Sequence, residues 1–303
     1  MRPGLTPWDF SDRSAASLSR QATIAESLGY ESFWLPESHF IPDAIPDPLM
    51  LLAAVAAGTE RLRLGTTSYL VPLRNPLQAA EQVAVLDRLS NGRVILGVGR
   101  GYASAMLRAF DVAPREKRET FERNLDVMMR AWRGEAVHAG EGGEAVVLDP
   151  LPVQQPHPPV WVAAFGPKAL AQAGRLGLPY LASPMETLEN LKANLGLHEE
   201  AAADAGHDEV AVRPIMRTVF LGHRRREVDE LKARLDSAGR PRSDDRATVD
   251  DWAIVGDRGF VAAKLDEYRE ALGTTHMVVT RLRIGGIDEE RLRKSVAEVA
   301  ELF

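Results

Sequence analysis

Arg93-Val-Ile-Leu-Gly-Val-Gly-Arg-Gly-Tyr102 (RVILGVGRGY) is a hydrophobic run that passes into glycines spaced one apart. A junction of this kind lets backbone come close to an anion. A dinucleotide-binding turn needs G-x-G-x-x-G, followed about twenty residues later by an acid at the end of a second strand. Here the spacing is Gly97-x-Gly99-x-Gly101, and Tyr102 stands where the third glycine belongs. Beyond it Phe121, Leu125, Met128 and Trp132 share one helical face, so the next long element is a helix, not a strand. The run is also the fourth strand of the chain rather than the first. In a barrel of parallel strands the same loop lies at the carboxyl face, where sites are built. There Gly99, Arg100 and Gly101 would offer amides and one guanidinium to a phosphate or carboxylate. On these residues alone, a glycine turn with a surface arginine reads equally well.

Outward from this strand, strand-like and helix-like segments alternate. Strands are expected at Pro3–Trp8, Ser32–Pro36, Leu62–Leu70, Val94–Val98, Val160–Ala164, Tyr180–Ala182, Val212–Leu221 and Met277–Ile284. Between them lie a helix from Ser14 to Gly29, an Ala-rich helix ending at Gly58, and one opened by Asn75-Pro76 and closed by Asn91-Gly92. Further helices are expected over Arg115–Trp132 and Gly259–Leu272, and a surface hairpin between Val137 and Leu148. Residues 223–251 read as a helix plus an insertion near the seventh strand. Repeated strand–helix order implies a parallel sheet, and eight such strands close most naturally into a (β/α)8 barrel. A chain of 303 residues is of ordinary length for one such domain, so 1–303 reads as a single barrel.

Composition removes several classes of function. With 37 basic and 43 acidic residues the net charge is −6, which gives no basic field for nucleic acid or a membrane surface. No cysteine is present, so disulfides, thiol nucleophiles and thiolate metal sites are excluded, and a reducing cytoplasm is the expected setting. MRPGLTPWDF lacks the apolar core of a signal peptide, and no run approaches the roughly 18 apolar residues of a membrane span. Neither HExxH nor G-x-S-x-G occurs and the histidines lack metal-ligand spacing, so metal-site and hydrolase readings fall away.

Four segments together resemble the bacterial luciferase-like family of flavin-dependent oxidoreductases. They are ATIAESLGYESFWLPESHF (22–40), RLRLGTTSYLVPLRNPLQAAEQVAVLDRLSNGRVILGVGRGY (61–102), PPVWVAAFGPKALAQAGRLGLPYLASP (158–184) and AIVGD (253–257). The resemblance implies a (β/α)8 barrel and a flavin cofactor. Deazaflavin sugar dehydrogenases of the family end the fourth-strand motif in a glutamate; here Tyr102 occupies that place, and VGRGYASAMLRAFDV is closer to the FMN monooxygenase pattern.

The resemblance also selects residues. His39 in PESHF falls where the family keeps an active-site histidine; from the residues alone it reads as a loop histidine bonded to backbone. A histidine at a strand's carboxyl end can donate to a flavin adduct or move a proton near neutral pH. Glu37 reads as its structural partner. Thr67–Ser68 maps to the family's non-proline cis peptide beneath the flavin ring. Gly166-Pro167-Lys168 opens a helix whose free amides suit a phosphate, and resemblance places the cofactor phosphate there with Arg100 reaching in. Gly99, Gly101, Tyr102 and Phe165 complete the expected cofactor contacts. The expected function is a monooxygenase that uses reduced FMN, delivered by a separate reductase, and molecular oxygen on a small organic substrate. The alternatives are a deazaflavin-dependent oxidoreductase on the same barrel and a flavin-binding homologue without turnover. A homodimer is expected by analogy, and specificity is expected in the Ile41–Pro48 loop and in 223–251.

Overall fold

The computed structural model describes residues 1–138, 144–239, 246–281 and 284–303. Its strands are β1 (Arg2–Leu5), β2 (Ser32–Leu35), β3 (Arg63–Thr66), β4 (Tyr69–Leu70), β5 (Val94–Gly99), β6 (Val137–His138), β7 (Ala145–Val146), β8 (Val160–Ala163), β9 (Tyr180–Leu181), β10 (Pro214–Leu221), β11 (Ala253–Gly256) and β12 (His276–Thr280). Its helices are α1 (Ala15–Ser27), α2 (Pro48–Gly58), α3 (Pro76–Leu89), α4 (Ser104–Ala109), α5 (Lys117–Trp132), α6 (Pro167–Arg175), α7 (Leu188–Asp204), α8 (Arg225–Ala238), α9 (Val249–Trp252), α10 (Arg258–Leu272) and α11 (Glu289–Ala300). Among the described residues no helix is long and apolar enough to cross a membrane. Two compact units are formed, one from Leu35–Ala163 and the other from Met1–Trp34 with Ala164–Phe303.

In the unit Leu35–Ala163 the central strand is β5. All six of its residues are buried, as a parallel strand covered on both faces requires. It pairs in parallel with β3 through Leu64 and Val94, with β4 through Tyr69 and Val98, and with β8 through Val98 and Val162. Helix starts follow the sequence closely: Asn75 caps α3 by accepting from Leu77 and Gln78, and Asp47 caps α2 in the same way. The buried stripe of α5 is Phe121, Leu125, Met128 and Trp132, the face expected from spacing. Trp132 donates its indole N–H to the Ala80 carbonyl at 3.0 Å and so locks α5 onto α3.

The expected strand over 62–70 is two strands in the structure. Thr67 and Ser68, joined by a cis peptide bond, lie between β3 and β4. Three β-forming residues in a row hide such an interruption, because propensity is blind to where a ladder stops and resumes. The expected hairpin is present as β6 paired antiparallel with β7; residues 139–143 between them lie outside the described residues.

In the other unit β12 pairs in parallel with both β1 and β10, and β10 also pairs with β11. The strand β11, within AIVGD (253–257), is not among the expected strands, since four residues carry too little periodicity. The last expected strand ends early, at Thr280, and of its remainder 282–283 lie outside the described residues. Of the expected insertion over 223–251, the structure describes α8 and the single turn α9; residues 240–245 lie outside it.

A buried polar cluster holds the β9–α7 connection of this unit. Glu186 accepts from the Tyr180 hydroxyl, the Asn194 amide and the Ser183 N–H (2.6 Å), while Arg217 donates to the Ser183 carbonyl at 2.9 Å. Burial pushes the Glu186 carboxyl above the usual range, against the pull of Tyr180, Arg217, Ser183 and Asn194. A carboxyl whose folded value is raised favours folding below the ordinary carboxyl range and does so less as pH rises through the raised value. Glu186→Ala is expected to cost about 1–3 kcal/mol by stranding buried donors. Glu186→Gln should cost less and flatten the dependence between mildly acid and neutral pH, as read by equilibrium denaturation.

Candidate functional site

The carboxyl ends of β2, β3, β4 and β5 gather most of the residues singled out by sequence within the unit Leu35–Ala163. The chain leaves β2 through Pro36 into Glu37-Ser38-His39. The Glu37 carboxylate is fully enclosed, and its Oε1 lies 2.7 Å from His39 Nε2. The same oxygen accepts from Arg74 Nη1 at 2.8 Å, and Oε2 accepts from the Leu70 N–H at 2.9 Å. Arg74 also donates to the Leu70 carbonyl and lies over the Tyr69 ring, 4.0 Å from its centre. Glu37 is thus tied to β4 and its following turn, and His39 is tied to Glu37.

The His39 side chain is 8% exposed. Phe110 meets its ring edge-on, with centres 4.9 Å apart, and Phe40 stacks on Phe110 at 5.5 Å. Phe40 has a φ of 56° and is 70% exposed, so its outer face is bare. Below Phe110 lie Leu70, Met106, Leu107 and Val112, an apolar cluster that fixes the short helix α4. The loop after His39 is pinned at its base: Ser38 N–H donates to the Ile45 carbonyl at 2.9 Å and Ile45 N–H to Ser38 Oγ at 3.0 Å.

Packing explains two glycines of the run from Gly97 to Gly101. A Cβ on Gly99 would lie 2.2 Å from Ser68 Oγ, so only glycine lets β5 pass this close to the cis linkage. Gly101 has a φ of +72°, and a Cβ there would meet Met106 Cε at 2.8 Å. Lys117 donates to the Gly101 carbonyl at 2.9 Å; burial, with Arg118 and Arg100 nearby, lowers its ammonium below the usual range. The Thr67 hydroxyl is buried and has no hydrogen-bond partner. Buried hydroxyls are normally paired, so this one marks a place where a further acceptor or donor fits.

Arg100, the expected anion clamp, has protein partners of its own. Its guanidinium turns into the protein, donates to the Ala163 carbonyl at 3.0 Å and lies over the Phe121 ring at 4.5 Å. The residue is 7% exposed, and burial lowers its pKa to about 10. Two flanking glycines free the backbone but do not choose the direction of the side chain; the ring of Phe121 and the end of β8 supply that choice. Tyr102 is 86% exposed.

Phe165, Gly166 and Lys168 belong to the other unit. Gly166, with a φ of 82°, precedes α6 without a side-chain cap, and Pro167 takes the first helical position. Phe165 is 55% exposed, and Lys168 is exposed as well. An uncapped helix start of this kind offers amide donors to an anion.

A family model described as luciferase-like monooxygenase matches residues 4–275. The chain belongs to the luciferase-like monooxygenase family. Among relatives of this luciferase-like chain is the oxygenase component of the flavin-dependent trigonelline monooxygenase of Acinetobacter baylyi. It is 29% identical over 192 residues, 61% of this chain and 53% of that protein. The chain spans between about half and two thirds of the length of the curated relatives it matches first.

Two solved structures establish the fold as the α/β barrel of the family. The oxygenating constituent of 3,6-diketocamphane monooxygenase from Pseudomonas putida, in complex with FMN, gives a TM-score of 0.81 at 20% identity, covering 99% of this chain and 97% of that one. The coenzyme F420 dependent tetrahydromethanopterin reductase of Methanopyrus kandleri gives 0.72 at 20% identity, with coverage of 99% and 97%.

Arg74, Phe110 and Lys117 are not among the residues expected at the site from the luciferase-like sequence. Arg74 stands inside the quoted segment LVPLRNP, and its signal was the acid at 37, whose burial requires a cation. Phe110 and Lys117 gave no local signal, because their roles arise from packing against His39 and Gly101.

Proposed function

We propose that this luciferase-like chain is the oxygenase component of a flavin-dependent monooxygenase, folded as one barrel domain over 1–303, that binds reduced FMN and oxidises a small organic substrate with molecular oxygen. The observation that carries the proposal is His39, held by the enclosed Glu37 carboxylate and flanked by Phe110. A histidine so fixed suits proton movement at a reacting atom. When bound, the reduced flavin supplies the electrons for oxygen activation. FMN is then expected to come from a separate reductase, and the chain to work as a homodimer in the cytoplasm.

The residues present fit such a cofactor. Thr67 brings a buried hydroxyl without a partner, and the absence of a side chain at Gly99 lets Ser68 lie close against β5. In the proposal Thr67, Ser68, Gly99, Gly101 and Tyr102 support the ring system, and Phe165 offers an exposed aromatic face. Gly166 and Lys168 take the phosphate at the start of α6. Arg100 acts as a brace: by holding the Ala163 carbonyl and Phe121 it keeps Gly99 and Gly101 in place. The chain's own part is to bind and orient the flavin, keep water out, and hold or move a proton at His39.

Two substitutions separate ring from phosphate. Lys168→Ala is expected to weaken FMN about tenfold and leave phosphate-free riboflavin nearly unchanged, the scale of one charge-assisted contact. Arg100→Ala is expected to weaken both by a similar factor, roughly tenfold, since a brace serves the whole molecule. An FMN-selective loss in Arg100→Ala would return Arg100 to the role of anion clamp.

The activity is tested with reduced FMN supplied by an unrelated flavin reductase and a panel of ketones, aldehydes and hydroxyarenes. Substrate-dependent oxygen uptake with an oxygen-labelled product supports the proposal. Hydride transfer from a deazaflavin, without oxygen uptake, would replace it by the deazaflavin oxidoreductase. Flavin binding with neither reaction would make the chain a binding protein.

A further inference from the structure

We propose that Glu37 is a positioning residue that fixes His39 with its proton on Nε2, so that His39 acts through Nδ1 as an acceptor toward a substrate bearing an O–H or N–H donor. The proposal rests on the reading of His39 as the acid–base group of the site.

Glu37 receives three close contacts. Leu70 N–H on Oε2 and Arg74 Nη1 on Oε1 are donors with no lone pair to offer. Facing both, Glu37 serves as an acceptor-only carboxylate. The third contact, His39 Nε2 to Oε1 at 2.7 Å, is therefore also an N–H donating to oxygen. A neutral imidazole carries one N–H, so Nδ1 is left with its lone pair. The neighbouring rings, Phe110 at 4.9 Å and Phe40 at 5.9 Å, have no donor to satisfy it. Among the described residues none hydrogen-bonds Nδ1.

The geometry therefore gives His39 a direction. It can take a proton but has none to give at Nδ1 until it has taken one. In the first step an N–H bond forms at Nδ1, the donor's X–H bond breaks and its electron pair stays on X. The imidazolium that results keeps its Nε2–H on the Glu37 carboxylate, and Arg74 remains on the same oxygen. The proton returns from Nδ1 when the product leaves. The bare outer face of Phe40 beside this acceptor suits a flat, unsaturated substrate carrying the donor.

The test is nitrogen NMR on the full chain with ring-labelled histidines, at a pH where the imidazole is neutral. The His39 signals are assigned by their loss in His39→Ala. The expected spectrum has Nε2 protonated and Nδ1 bare. In Arg74→Met the same tautomer should persist, because the carboxylate remains; in Glu37→Ala the two nitrogens should average. A proton on Nδ1, or averaged signals in the unmodified protein, overturns the proposal, and so does an unchanged tautomer in Glu37→Ala. Should Glu37→Ala fail to fold, the unmodified protein decides alone.

The donor requirement is read with a naphthol and its methyl ether, each titrated by fluorescence. The naphthol is expected to bind severalfold more tightly, with the difference lost in His39→Ala. Equal binding of the two to the unmodified protein contradicts the proposal. Neither measurement needs turnover, so their failure is distinct from failure of the oxygen-uptake assay.

Discussion

His39→Ala is expected to lower turnover by about a hundredfold or more while flavin affinity changes little, the usual scale for a positioned acid–base group. The ring sits at the carboxyl end of β2, enclosed by Phe110 and Phe40 and fixed by Glu37. Alanine removes the proton carrier and leaves Glu37 with Leu70 and Arg74, both of which still satisfy it. The substitution should therefore fold, and the loss should appear in kcat. Steady-state kinetics with the oxygen-consuming substrate, alongside flavin titration, make the separation. Turnover within a factor of about two of the unmodified protein would reduce His39 to a loop residue bonded to a carboxylate.

The second large effect is expected at Gly99. A Cβ there would sit 2.2 Å from Ser68 Oγ and 3.1 Å from its Cβ, so Gly99→Ala must push Ser68 away from β5. Overpacking of this kind costs about 1–3 kcal/mol. Ser68 follows Thr67, whose buried hydroxyl has no partner, so the displacement falls on the proposed ring support rather than on the core. Flavin affinity should drop by tenfold or more, for FMN and riboflavin alike, with thermal stability falling by a few degrees. Full retention of flavin affinity in Gly99→Ala would place the ring elsewhere.

The fold was legible because its signals are local and repeated. Asn75-Pro76 opens α3 and the Phe121–Trp132 stripe faces inward, as cap chemistry and period 3.6 require. The fully apolar run of β5 announced a buried parallel strand. What escaped were features with no period: the division of β3 from β4 at Thr67–Ser68, and the four-residue β11. Within the candidate site, family resemblance singles out His39 and glycine spacing singles out Gly99. The direction of Arg100 was not legible. The contact of its guanidinium with Phe121 depends on a ring 21 positions away in sequence. Arg74 was hidden for a similar reason, since the carboxylate it serves lies on another strand's loop.

The most direct test of the central claim is an anaerobic titration of the purified chain with reduced FMN, oxidised FMN and the deazaflavin coenzyme, following spectra and affinity together. Reduced FMN is expected to bind most tightly, with a perturbed spectrum, and His39→Ala to retain this binding. Tighter binding of the deazaflavin than of either form of FMN would contradict the assignment of cofactor, and with it the oxygenase reading.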